Sequence, residues 1–364
     1  MADPQPIEIH ISDVRSYKAC RYKWNFSSHL KRNLEPNVPY VPFFTGRAVH
    51  HCLQQMYRNH GDVTTLIPSL DQFIDKETKT WTQPIMLPEL EMINEQRELM
   101  VGMFTHYALW RYTHSKETSP WLDQNLNFVS LEMPFKDIEI PGLPGATFAG
   151  RFDGLVEDNK GKFWIWENKT ARSISELQKS LANDEQSGLY TYAASKVFGR
   201  PVEGVLYNIM RKKLPTTPKI LKSGELSKDK SVDTSWEWYK QTVDSTYPQM
   251  SQDDKEDLFG EFIQQLQDDP KKQFFARIPV KKSQATLDQL IDQLAATARE
   301  MIDPRTAIYP APGVINCNWC LFRNPCIAMS RRQFHEAEQM LADDYRIRIN
   351  YDEEQEALNE ENGN

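Results

Sequence analysis

Three thiols fall within one short run, Cys317, Cys320 and Cys326, at C-x2-C-x5-C spacing. Around a short helical turn that spacing points three sulfurs at one volume, which suits tetrahedral coordination of zinc or part of an iron–sulfur ligand set. A fourth ligand is then required, and Cys20 or Cys52 must supply it. Cys52 recurs with Val49, Leu53, Met56 and Tyr57 at the spacing of a buried helix face, so its thiol is expected in the core. Cys20 follows a stretch that reads as a helix capped by Ser12 and is the better candidate. Unconnected reduced thiols are the plain alternative. A disulfide framework is not expected of a 364-residue chain with five cysteines and no secretory signal, and the expected setting is cytoplasmic.

A second constellation lies between these cysteines. Asp153 follows Gly150, Arg151 and Phe152, while Glu167, Asn168 and Lys169 close the apolar run Phe163, Trp164, Ile165 and Trp166. Alternate strand residues share a face, so Glu167 and Lys169 point together and Asn168 points away. If the two strands pair, Asp153 and Glu167 meet across the sheet. Two carboxylates so close repel unless a cation lies between them, and a hard divalent ion, Mg2+ or Mn2+, keeps positions open for a phosphate oxygen and a water. Lys169 beside it can neutralise charge building on a phosphorane-like transition state and help orient the attacking water. An isolated Glu-x-Lys is ordinarily a surface ion pair. Here it closes a strand of four bulky apolar residues, where burying charge is costly without a use. His50 stands four residues after Gly46, so one helix presents a small residue for close approach with an imidazole beside it, although a lone histidine beside an apolar face is more often structural. Gln186 and Tyr190 share a helix face and could hydrogen-bond a phosphate or a metal-bound water; Tyr190 alone reads as core.

The elements that must carry these residues read as an α/β order. Helical signals cover about 12–30, 46–59, 68–80 and 90–115, the last with Met92, Leu99, Met103 and Leu109 as apolar positions. Strand signals follow over 128–138, 147–156 and 163–169, then a helix over 184–198, a strand over 202–211 and a loop rich in proline, threonine, serine and lysine. A helix over 253–267, a strand over 273–280, a helix over 287–301, the cysteine run and a last helix near 331–341 complete the chain. The pattern predicts a central mixed β-sheet flanked by helices. Residues 1–120 would form an N-terminal helical cover, 121–302 the core, 303–345 the cysteine segment with the last helix, and 346–364 an acidic tail. From Asp352 onward that tail holds six acids and no bases and is expected to be disordered.

With 43 basic and 51 acidic residues the net charge is −8, which argues against a protein that coats nucleic acid indiscriminately. The bases gather as Arg211, Lys212, Lys213, Lys219, Lys222, Lys228 and Lys230, and again as Lys271, Lys272, Arg277, Lys281 and Lys282. Each group could be an ordinary solvated face or, beside a phosphodiester-cleaving site, a track for a nucleic-acid backbone. No apolar run is long enough to cross a membrane. The absence of G-x4-G-K-[S/T] speaks against processive unwinding by this chain alone.

Taken in order, Gly46 with His50, Gly150 with Asp153, Glu167 with Lys169, and Gln186 with Tyr190 resemble the RecB-type branch of the PD-(D/E)xK nuclease superfamily over about residues 12–330. With Cys20 before them and the cysteine run after, the chain is similar to iron–sulfur members of that branch: CRISPR-adaptation nucleases, related phage exonucleases and the AddB nuclease domain. The resemblance implies a restriction-endonuclease-like core and a 4Fe-4S cluster held by Cys20, Cys317, Cys320 and Cys326. It also implies a Mg2+ or Mn2+ site at His50, Asp153, Glu167 and the Asn168 carbonyl, with Lys169 catalytic and with Gln186 and Tyr190 contacting DNA or ordering the site. Phe152 departs from the proline usual before the aspartate. The expectation is a deoxyribonuclease, an exonuclease acting on single-stranded DNA ends in recombination, repair or phage DNA metabolism, with the cluster as a structural staple. Alternatives are a DNA-end-binding or adaptor protein with a nuclease fold, inside a recombination or CRISPR spacer-acquisition complex, and a zinc-clipped protein without nuclease activity. The intact acids and lysine favour the nuclease, because binding alone gives no need for a buried carboxylate pair.

Overall fold

A computed structural model describes residues 6–38, 41–81 and 85–348. The chain begins with strand β1 (Ile7–His10), helices α1 (Ile11–Ala19) and α2 (Arg21–Ser27) and strand β2 (Leu34–Pro36), followed by helices α3 (Val41–Arg58), α4 (Leu66–Lys79) and α5 (Leu87–Thr113). Next come β3 (Leu126–Glu139), β4 (Ala146–Asp158), β5 (Phe163–Ala171), α6 (Ile174–Leu181), α7 (Glu185–Phe198) and β6 (Val205–Arg211). The remainder is α8 (Trp236–Thr246), α9 (Gln252–Asp268), β7 (Phe275–Val280), α10 (Gln284–Ile302), α11 (Val314–Asn318), α12 (Arg323–Ser330), α13 (Phe334–Asp344) and β8 (Tyr345–Ile347).

Six strands make one mixed sheet in the order β1-β4-β5-β6-β7, with β3 along the other edge of β4. The expected α/β architecture, a mixed central sheet flanked by helices, is present. β4 is shared in an unusual way. Its first residues pair in parallel with β1 (Ile7 opposite Ala146 to His10 opposite Ala149), and its last pair antiparallel with β5 (Gly154 opposite Trp166 to Glu157 opposite Phe163). Residues 150–153 of β4 therefore have no ladder partner on that edge, and a gap opens between β1 and β5.

Two apolar cores follow from strand alternation. Ile165, Val205, Tyr207 and Ile209 pack toward α1, α7 and α10, whereas Trp164, Trp166, Leu206 and Met210 pack toward α3 and α5. A third cluster, built on Tyr239, Val243, Phe259, Phe262 and Leu266, holds α8 and α9 in the long connection from β6 to β7. A fourth joins Phe26 and Leu34 to Phe322 and Leu341, so the two ends of the chain pack together.

Several elements differ from the sequence reading. Residues 7–10, assigned to the helical cover, form an edge strand of the main sheet. The first helix is split at Cys20, whose extended backbone (φ −167°, ψ 117°) separates α1 from α2, and its N-cap is His10 rather than Ser12. The buried stripe of α5 is Ile93, Met100, Met103, Phe104, Tyr107 and Trp110, so of the expected positions only Met103 is buried. The aromatic residues sit about one position round from the aliphatic track and carry more apolar area, so they decide which face turns inward. Helix α6 was not expected, although Ser173 Oγ accepts the Glu176 N–H at its start. Nor was α8, capped by Ser235 within the stretch read as loop. Residues 345–347 pair with β2, so the structured chain runs past the expected start of the acidic tail; the acidic residues from 352 onward lie outside the described residues.

Candidate functional site

The site forms where β4 parts from β5. Gly154 and Trp166 are the last register pair, and the next step brings Asp153 and Glu167 to opposite sides of the widening gap. The Asn168 N–H donates across it to Asp153 Oδ2 at 2.7 Å. Gly150 is required by packing: a Cβ there would come within 2.9 Å of the Phe135 ring, which stacks on Phe152 at 4.4 Å.

Helices close on the gap from both faces. From α3, His50 Nδ1 lies 3.2 Å from Asp153 Oδ2. A Cβ on Gly46 would meet Thr170 Oγ1 at 3.9 Å, an ordinary contact, so close helix–strand approach does not account for that glycine. From α7, Gln186 Nε2 donates to Glu167 Oε1 at 2.8 Å. Lys169 Nζ donates to the same Glu167 oxygen at 2.6 Å and to Gln186 Oε1 at 3.2 Å. Tyr190 is buried, with its ring edge-on to Phe135 and Phe152, and so packs in the core beneath the gap.

Charge is crowded here. Burial would raise Asp153, but the imidazolium of His50 and the Asn168 N–H hold it below the usual carboxylate range. Glu167 goes the other way: burial and the negative charge of Asp153 raise it, with Lys169 only partly opposing. His50 loses basicity to burial and regains more from Asp153, ending at about 9. Lys169, held by Glu167 against its own burial, stays charged. Glu167 is 3% exposed, and its Oε2 is buried without a hydrogen-bond partner. A buried carboxylate oxygen with no donor is costly, and the crowd of acids around it makes a divalent cation the partner that fits.

Three participants carried no sequence signal. Glu132 falls opposite Asp153 in the β3–β4 register, has a left-handed backbone (φ 49°), and is pushed up to about 7 by burial and by the charge of Asp153. Arg15 of α1 donates to Gln186 Oε1 at 3.0 Å and pairs with Asp184. Asp184 caps α7 and accepts the Tyr207 hydroxyl at 2.8 Å.

The expected basic tracks are largely consumed by structure. Arg277, placed in one of them by sequence, is buried behind the sheet: it pairs with Asp123, donates to Asn208 Oδ1 (3.2 Å) and to the Tyr57 and Tyr107 hydroxyls (3.1 Å each), and lies over Trp166. Asn208 in turn holds the Asn168 side chain at 2.9 Å, on the face opposite Glu167 as alternation predicts. Arg211 and Lys213 pair with Asp233, Lys281 pairs with Glu203, Lys228 donates to the Leu258 carbonyl and Lys272 to that of Val232.

Four cysteines gather far from Cys52. Burial raises Cys320 and Cys326, and each also feels Cys20 and Cys317 as neighbouring charges. The Ala311 N–H donates to Cys20 Sγ and the Gly313 N–H to Cys317 Sγ, each at 3.4 Å. Asn316 Nδ2 ties the run to the Ala19 carbonyl at 3.0 Å. Cys52 is wholly buried in the α3 core, as its spacing predicts, and burial raises its thiol. Among the described residues no three of these sulfurs stand within 4.8 Å of one another, so no tight tetrahedral shell is preformed. Four neighbouring thiols nonetheless suit a soft-metal group with several sulfur ligands. The same run brings Trp319, 54% exposed, under the Arg172 guanidinium just past the end of β5.

A family model described as "PD-(D/E)XK nuclease superfamily" matches residues 9–327. No curated protein matches the chain significantly. Among matching solved structures, one described as "Crystal structure of SSO0001" is 12% identical and covers 87% of this chain and 96% of that chain, with a TM-score of 0.25, too low to carry an argument.

Proposed function

The chain belongs to the PD-(D/E)XK nuclease superfamily, and on that premise we propose that it is an exonuclease that degrades single-stranded DNA from its ends. Members of the superfamily cleave phosphodiester bonds and generally use Mg2+ or Mn2+. The observation that carries the reading is the orphaned Glu167 Oε2 beside Asp153, with a charged lysine on the same strand. Asp153, Glu167 and the Asn168 carbonyl, with His50 once the incoming cation displaces its proton, would hold the divalent ion, which when bound supplies Lewis-acid polarisation of the phosphate and a more acidic water.

The protein's own groups do the rest. Lys169 presents an ammonium group to the charge that grows on the reacting phosphate, and Gln186 keeps the Glu167 carboxylate in place. Arg15 fixes Gln186, and Tyr190 lies one helical turn further along α7 with its ring packed on Phe135 and Phe152. Single-strand preference is supported by the exposed Trp319 and Arg172 pair, since an aromatic face beside a guanidinium stacks unpaired bases of any sequence. Cys20, Cys317, Cys320 and Cys326 would hold a 4Fe-4S cluster that staples the two chain ends, in a cytoplasmic setting that keeps thiols reduced. The biological setting proposed is recombination, repair or phage DNA metabolism.

The test is degradation of end-labelled single- and double-stranded DNA and RNA in Mg2+ or Mn2+. Single-stranded DNA is expected to shorten from an end, and Asp153→Ala or Glu167→Ala to slow cleavage by about 10³-fold or more while still binding DNA in Ca2+. Parental rates in either variant would remove the active-site assignment; cleavage only within the chain would remove the exonuclease.

A further inference from the structure

Outside the site and the cysteine cluster, one group of side chains is assembled like a metal site. His10 ends β1, Asp13 lies in the first turn of α1, and His29 follows α2. One ligand atom from each lies within 4.8 Å of the other two, and the two imidazole rings stack with centroids 4.5 Å apart. Asp13 is 4% exposed and its Oδ2 has no hydrogen-bond partner, although His29 Nδ1 stands 3.1 Å away.

The tautomer explains why that contact is unusual. His29 Nε2 lies 3.1 Å from the Glu8 carbonyl, which can only accept, so Nε2 carries the hydrogen. In a neutral ring Nδ1 then offers a lone pair to a carboxylate oxygen, two acceptors face to face. Either an extra proton or a cation must sit between them. A histidine whose far nitrogen donates to a backbone carbonyl is already oriented as a metal ligand.

We propose that Glu8, His10, Asp13 and His29 form a structural Zn2+ site. Bonds of about 2.0–2.2 Å call for donors roughly 3.4 Å apart, so from separations within 4.8 Å the trio closes by at most about 1.4 Å on loading. The Glu8 carboxylate stands outside this trio, 3.8 Å from His10 Nε2, and would swing in to complete a four-coordinate shell. Two carboxylates and two neutral imidazoles leave the loaded site with no net charge, which suits its half-buried position. The ion fastens the end of β1 and the start of α1 to the turn after α2, bracketing the helix break at Cys20. The inference is independent of the nuclease reading.

The test uses the full-length, cluster-loaded protein, with Zn2+ affinity measured by chelator competition and iron measured in parallel. Wild type is expected to bind one Zn2+ equivalent without losing iron, and His29→Ala to weaken that binding by about 100-fold or more. His10→Phe keeps the ring stack without a ligand, guards against misfolding as the explanation, and is expected to show the same loss. With Co2+ in place of Zn2+, the spectrum should show d–d bands without thiolate charge-transfer absorption. No extra equivalent, retention of it in His10→Phe, or thiolate bands in the Co2+ spectrum would each overturn the proposal, leaving a protonated His29 against Asp13.

Discussion

Replacing Glu167 with glutamine should make the metal-free protein more stable and the metal-loaded protein less so. Asp153 and Glu167 flank the gap one step beyond the last register pair, and two unit charges roughly 5–7 Å apart repel by about 2–3 kcal/mol at an effective dielectric constant near 20. His50 and Lys169 offset part of this, but burial and Asp153 still leave Glu167 raised, so the folded state prefers a neutral group there. Glutamine keeps an oxygen for Lys169 and Gln186 and loses only the charge. A gain of about 1–3 kcal/mol is expected in metal-free buffer, visible as a rise of a few degrees in Tm. Adding Mn2+ to about a hundred times its dissociation constant should stabilise the parent by about 2.7 kcal/mol and the variant far less, so the order of the two melting curves reverses. The assay is thermal unfolding of anaerobic, cluster-loaded protein across a Mn2+ titration. If the variant melts below the parent without metal, the Lys169 ion pair outweighs the repulsion and the site is an ordinary buried salt bridge. An equal Mn2+ shift in both would mean that Glu167 is no ligand.

Cys20→Ser is expected to lose the visible chromophore of anaerobically purified protein together with much of its solubility, while Cys52→Ser keeps both; absorption spectra and soluble yield decide this. Arg277→Met removes one of two arginines from Asp123, which keeps Arg111, and strips the Tyr57, Tyr107 and Asn208 contacts. It should lower unfolding free energy by about 1–3 kcal/mol in urea titrations, against less than about 1 kcal/mol for the exposed pair partner in Lys281→Ala. His114 lies between Glu237 at 3.1 Å and Glu117 at 2.7 Å; burial opposes its protonation, but these bonds raise its pKa above the ordinary 6.5. Its stabilisation is therefore complete below about pH 6.5 and lost as pH rises through the folded-state value. The Tm difference between wild type and His114→Gln should be widest at acid pH, and a gap that ignores pH would refute this.

Much of the site was legible because strand and helix periodicity are local. Alternation alone placed Glu167 with Lys169 and turned Asn168 away, and helical spacing alone sent Cys52 inward while leaving Cys20 for the cysteine run. Arg277 was misread because a cation in a polar stretch looks the same on the surface as in the interior. What distinguishes it is Asp123, Tyr57, Tyr107 and Trp166, all brought to it by tertiary folding. Glu132 was invisible for a different reason: its position across from Asp153 depends on register shifts in β3 that move the pairing between Phe128 and Ser130 and between Phe135 and Ile138. A strand read by strict alternation cannot anticipate them.

Residues 7–30 bear on the proposed catalytic acids more than a helical cover would. Glu167 Oε1 is restrained by Lys169 and by Gln186, and Gln186 is itself held by Arg15 from α1. Cys20 stands five residues after Arg15, at the point where the extended backbone ends that helix. A cluster clip at Cys20, as proposed, would act on the same helix that carries Arg15, while β1 anchors its other end to β4 beside the gap. Loss of the clip would free α1 at one end only, loosening Gln186 before the sheet itself. The acids would then lose one restraint while Lys169, carried by β5 with them, kept its own contact.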